Sequence, residues 1–166
     1  MKIFFAILQL LYPVAIMLIP ALFYRKRFRF PMRFYRGMAC SLAVRRTYMV
    51  ALAVLVLLLN FTFTRTVGPS WWLVSGFLYG LLLLRYSFTD ATLRWLHDDR
   101  VIQCFWYALI MLTMIMPQLY PLSVSLAMTF LAAMFYPSRR LFRMVEHPER
   151  YPQFDGSERA IFESYY

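Results

Sequence analysis

Thirty-eight consecutive residues, 101 to 138, contain no Asp, Glu, Lys or Arg. As one continuous helix they would extend roughly 57 Å at 1.5 Å per residue, almost twice the hydrocarbon thickness of a bilayer, about 30 Å. The run must therefore fold back on itself. Pro117-Gln118-Leu119-Tyr120-Pro121 supplies the place, because two prolines around a polar residue end one helix and start another. The two halves are each near the lower length limit of a membrane span, so a pair of spans and a re-entrant hairpin both stand as readings.

Three further windows lack charge altogether: residues 3 to 24, 47 to 64 and 66 to 84. Composition agrees with a chain dissolved in lipid, since 61% of residues are hydrophobic and only 16% charged, against roughly 45–50% and about 25% in soluble domains. The expected fold class is all-α: a polytopic helical membrane protein with about five spans, near 3–24, 47–64, 69–86, 100–116 and 122–138. One N-terminal span is followed by two hairpins, the first turning at Thr64 to Ser70. The hairpins have similar lengths, proline turns and Arg-rich flanks, a repeat in hydropathy with little residue identity. Residues 1–142 form the expected membrane domain and 143–166 a cytoplasmic tail. The first window resembles a secretory signal after Lys2, but it ends in Tyr24-Arg25-Lys26-Arg27 rather than at a small-residue cleavage site, so a retained span is expected.

Basic residues set the orientation. Lys2 and Arg65 fall on one side of the five-span arrangement, and the other sixteen Lys and Arg fall on the opposite side. The positive-inside rule then puts the N-terminus outside and the C-terminus in the cytoplasm. A bacterial inner membrane is the expected location. The densest basic segment, Arg25-Lys26-Arg27-Phe28-Arg29-Phe30-Pro31-Met32-Arg33-Phe34-Tyr35-Arg36, follows the first span on the cytoplasmic side. Aromatic interleaving also suits nucleic acid, but the location favours anionic lipid head groups contacted by Arg25, Lys26, Arg27, Arg29, Arg33 and Arg36. Beyond Pro31, helical spacing collects Phe34, Tyr35, Met38, Ala39 and Leu42 on one arc and Arg33, Arg36, Gly37 and Ser41 on the other, as in an amphipathic helix lying in the interface. An ordinary topogenic loop is the competing reading.

No Asp, Glu, Lys or Arg lies in the interior of an expected span, Arg85 and Arg100 falling at span ends, which weighs against ion-coupled transport. Among the polar residues there, Asn60 stands out for interhelical hydrogen bonding, and Gly76 and Gly80 form a G-x-x-x-G that admits a close backbone approach, within the chain or between copies. His97-Asp98-Asp99 has too few neighbouring ligands for a metal and precedes a helix, so capping is the expected role. Cys40 and Cys104 suggest neither a disulfide framework nor zinc. In the tail, Asp155 and Glu158 resemble a capping box, after which Ile161, Phe162 and Tyr165, together with Phe154, offer an apolar face for docking a partner protein or the chain's own loops.

No nucleophile–base pair, phosphate loop or metal spacing emerges, and no cofactor or enzymatic activity is expected. The first expectation is a non-enzymatic scaffold or accessory subunit of a secretion, conjugation or envelope complex, with lipids and other membrane proteins as partners, homo-oligomerisation left open, and nucleic acid excluded. A small transporter or oligomeric channel for a lipid or apolar solute is the alternative, and an immunity or exclusion protein a further one.

Overall fold

Helix is the sole regular structure among the residues described by the computed structural model, which are 29–67, 73–150 and the isolated Ser157, Ala160 and Ile161. Seven α-helices follow in order: α1 (Arg29–Cys40), α2 (Leu42–Val67), α3 (Leu73–Leu83), α4 (Tyr86–Asp98), α5 (Arg100–Ile115), α6 (Tyr120–Met134) and α7 (Arg139–Glu146). Short 3-10 turns occupy Pro117–Leu119 and Pro148–Arg150. The expected span 3–24 lies outside the described residues.

The α1 helix buries Tyr35, Met38 and Ala39 and exposes Arg33 and Arg36, the amphipathic division anticipated from spacing. Leu42 departs from that arc. It begins a new helix and is exposed, because Ser41 breaks the chain and caps α2, its Oγ accepting from the Val44 amide at 3.4 Å. The second helix therefore starts ahead of the expected residue 47, and Arg45 and Arg46 sit in its first turns rather than in a loop. Its 26 residues make about 39 Å of helix.

The expected loop from 85 to 100 is the clearest correction. Tyr86–Asp98 is a helix that buries Thr89, Leu93 and Leu96, positions four and three apart on one face. Thr89 also donates its hydroxyl to the Leu83 carbonyl at 2.7 Å, which satisfies an acceptor at the end of α3. Asp99 caps α5 by accepting from Val101 N at 2.8 Å, and Gln103 Nε2 closes the corner by donating to the carbonyls of Leu96 (2.9 Å) and His97 (3.1 Å). The α5 boundaries match the expected span, and the turn at Pro117 forms as anticipated. The final window does not continue to 138: α6 ends at Met134, Pro137 prevents its extension, and Ser138 caps α7 after a bend of 41°.

Among the described residues one helix is long and apolar enough to cross a membrane, over Leu42–Thr64, and a second qualifies if α6 and α7 count as one bent span. Only 22% of that first stretch is buried. In contrast, ten of the fifteen α6 residues are buried, because α2, α3, α4 and α5 all pack around α6. The molecule is built on this short central helix. Its small residues, Ser123, Ser125, Ala127, Thr129, Ala132 and Ala133, let the surrounding helices approach.

Candidate functional site

Each helix around α6 sends at least one polar side chain to it. From α2, Tyr48 donates to the Ala132 carbonyl at 2.9 Å and Asn60 Nδ2 donates to Ser125 Oγ at 3.0 Å. From α3, Tyr79 Oη lies 2.8 Å from Thr129 Oγ1. The His97 ring of α4 donates through Nδ1 to the Ala133 carbonyl at 3.0 Å, and Trp106 of α5 donates to that of Leu126 at 3.1 Å. Ser125 and Thr129 bond back to carbonyls one turn earlier, at 2.7 and 2.9 Å, so their own hydroxyl protons are satisfied inside the helix.

Gly76, Gly80 and Asn60 converge as a packing unit. An added Cβ on Gly76 would lie 2.8 Å from Asn60 Cγ, overlapping the buried amide, and one on Gly80 would lie 2.7 Å from Leu57 Cδ2. The G-x-x-x-G face is thus used against α2 of the same chain. The Asn60 amide nitrogen donates to Val56 and Ser125, whereas Oδ1, turned toward Gly76, has no hydrogen-bond donor among the described residues.

A second cluster forms where the start of α2, the middle of α4, the end of α6 and α7 meet. Asp90 accepts from both sides: Arg94 Nη2 reaches Oδ2 at 2.7 Å and Tyr136 Oη donates to Oδ1 at 2.5 Å. Tyr136 is fully buried. The guanidinium carbons of Arg94 and Arg45 each lie 4.5 Å from the centroid of the Phe142 ring, a cation–π arrangement strengthened by desolvation. The buried Nε atoms of both arginines lack an acceptor among the described residues. The cluster thus holds one carboxylate, paired with Arg94, and a second guanidinium, Arg45, on the shared Phe142 ring, an excess of one positive charge at a half-buried site. Asp90 is occupied by two donors and is unsuited to act as a general base; the chemistry offered is recognition of an anion.

Of the expected lipid-contacting residues, Arg33 and Arg36 are exposed on α1. Arg25, Lys26, Arg27 and the Arg29 side chain lie outside the described residues, as do Phe154, Phe162 and Tyr165. Of the two docking readings, Ile161 takes the one within its own chain: it is fully buried against Tyr35, Ala39 and Leu141. Ser157 Oγ, accepting from Ala160 N at 3.2 Å, performs a capping role there; Asp155 and Glu158 lie outside the described residues. The expected boundary at residue 142 falls within α7, whose Leu141, Phe142 and Met144 are all buried.

His97, Asp98 and Asp99 serve three separate structural ends. His97 reaches α6, Asp99 caps α5, and Asp98 accepts from Arg139 N at 3.2 Å while its Oδ2 lies 3.5 Å from Arg139 Nε. Among the described residues no three His, Cys, Asp or Glu side chains gather as a metal site. Cys40 and Cys104 are free and exposed. Sequence reasoning missed the Asp90 cluster. Its one local signal was the i, i+4 spacing of Asp90 and Arg94. No family model, curated protein or solved structure matches the chain.

Proposed function

We propose that this chain is a multi-pass membrane protein acting as a non-enzymatic scaffold or accessory subunit of a membrane-embedded assembly, with its arginine-rich ends in the cytoplasm. The observation that carries the reading is an inverted distribution of polarity. Asn60, Thr113, Ser123, Ser125 and Thr129 are buried, whereas Leu58, Leu78, Leu81, Phe105, Leu112 and Ile115 are exposed, the last at 76%. In water this arrangement would leave apolar patches far larger than single scattered side chains; in lipid it places each group in its preferred solvent. Hydroxyls and an amide hold the helices together where the hydrophobic effect cannot.

Short helices fit the same reading. At 15 and 16 residues, α6 and α5 give about 22 to 24 Å of helix, and a membrane accommodates them by local thinning or by the bent extension into α7. The excess basic charge on one side anchors that side in the cytoplasm. A scaffold needs a well-packed interior and an adhesive exterior, and no reactive constellation.

Two measurements test this. Carbonate-washed membranes should retain the full-length protein in the pellet; recovery in the supernatant without detergent would refute the membrane reading. In a Cys104→Ala background, Cys40 should react with a membrane-impermeant maleimide only after the inner membrane is permeabilised. Labelling of intact spheroplasts would invert the proposed orientation. The scaffold assignment further requires that mild-detergent extracts yield the protein together with other membrane proteins.

A further inference from the structure

Between α2 and α6 runs an open, almost wholly apolar groove of about 240 Å³, lined by Tyr48, Ala51 and Leu55 on one side and Met128, Leu131 and Phe135 on the other. Tyr48 and Phe135 mark the end nearest the basic cluster. Arg45 precedes Tyr48 by three residues, about 4.5 Å along the helix axis. Ring contacts connect the two places: Tyr48 to Tyr136 at 6.5 Å and Tyr136 to Phe142 at 6.4 Å between centroids, with Arg45 over Phe142. Phe34 of α1 meets Tyr48 edge-on at 5.8 Å, which brings the helix carrying exposed Arg33 to the same end.

We infer that this groove and Arg45 together form a binding site for one anionic phospholipid of the cytoplasmic leaflet, with an acyl chain along the groove and the head-group phosphate at the Arg45 guanidinium. The inference rests on the membrane reading above. Charge complementarity selects the occupant. Among the described residues Arg45 forms no ion pair and its Nε has no acceptor, and the carboxylate of the cluster, Asp90, is already shared by Arg94 and Tyr136. A guanidinium held half-buried without a counter-ion is costly, and a phosphate matches its fork of donors. One bound phosphate would cancel the cluster's excess charge. The groove accounts for the tail: its walls offer aliphatic and aromatic carbon, and only a lipid presents an anion and a long hydrocarbon chain a few ångströms apart.

The test uses full-length protein extracted in mild detergent, supplied with phosphatidylglycerol or phosphatidylcholine, and native mass spectrometry to count retained lipid. One phosphatidylglycerol per chain should be retained, about tenfold over phosphatidylcholine, the scale of one charge-assisted contact. Arg45→Gln should abolish that preference, Ala51→Phe should lower retention of both lipids, and the control Arg140→Gln should leave both unchanged. Ala51→Leu replaces Ala51→Phe if the larger side chain prevents folding, and Arg45→Gln tests the head-group contact independently of either. Equal retention of the two lipids, or an unchanged preference in Arg45→Gln, overturns the proposal, as does undiminished retention in the groove variants. Protein that stays in the carbonate-washed pellet yet retains no lipid overturns the site while leaving the membrane reading intact.

Discussion

Gly76 and Gly80 differ in what a methyl group would meet, and that difference is measurable. At Gly76 the obstacle is the Asn60 amide, fixed by two hydrogen bonds; at Gly80 it is the far end of a leucine side chain. Gly76→Ala should destabilise the protein by about 1–3 kcal/mol, the usual range for overpacking, and Gly80→Ala by clearly less, as read from melting temperatures in detergent. Asp90→Asn removes the sole carboxylate from a half-buried cluster holding two guanidinium groups and weakens the acceptor of the Tyr136 hydroxyl, so a loss of about 1–3 kcal/mol is expected in the same assay. The glycine pair and Asn60 were each legible as packing residues from local signals, but not as neighbours of one another, since they lie on different helices. Their partner Ser125 was not, since 65 residues separate it from Asn60. The Asp90 cluster was hidden for the same reason: Tyr136 and Phe142 carry no mark in the sequence that separates them from other aromatic residues, and only the folded chain brings them to the carboxylate.

At the level of helices, charge was a good guide to where α5 begins, a looser one to the starts of α2 and α3, and a poor guide to what lies between the apolar segments. Residues 85 to 100 contain enough Arg and Asp to read as a loop, yet Thr89, Leu93 and Leu96 recur at helical spacing and all three are buried. The period was present; the charge count overrode it. The opposite error occurred after Met134, where the absence of charge carried the expected span through Pro137 and Ser138 although a proline followed by a capping serine marks a boundary. The helix α4 offers a direct comparison of its buried and exposed faces. Leu93→Ala should cost about 2–5 kcal/mol, whereas Trp95→Ala, at a position 53% exposed, should change melting by no more than about 0.5 kcal/mol.

For the whole molecule, the distinction between lipid and water as the surrounding medium can be posed at one residue. Leu58 lies within the apolar stretch of α2 and is 56% exposed. In water Leu58→Asp would be harmless, whereas in a bilayer it should oppose insertion by about 2.5–3.5 kcal/mol, seen as a reduced membrane-inserted fraction in a translocation assay. The arrangement around α6 has a temporal side as well. Tyr48, Asn60, Tyr79, His97 and Trp106 all find their partners on a helix that emerges from the ribosome after the four helices bearing them. Until Tyr120–Met134 is made, these five side chains lack the partners they have on α6, so the early helices gain these contacts only once the last of the five helices has been synthesised. A chain truncated before Tyr120 should therefore lose the helix that the other four pack around, and its limited-proteolysis pattern should show earlier cleavage than that of the full-length protein.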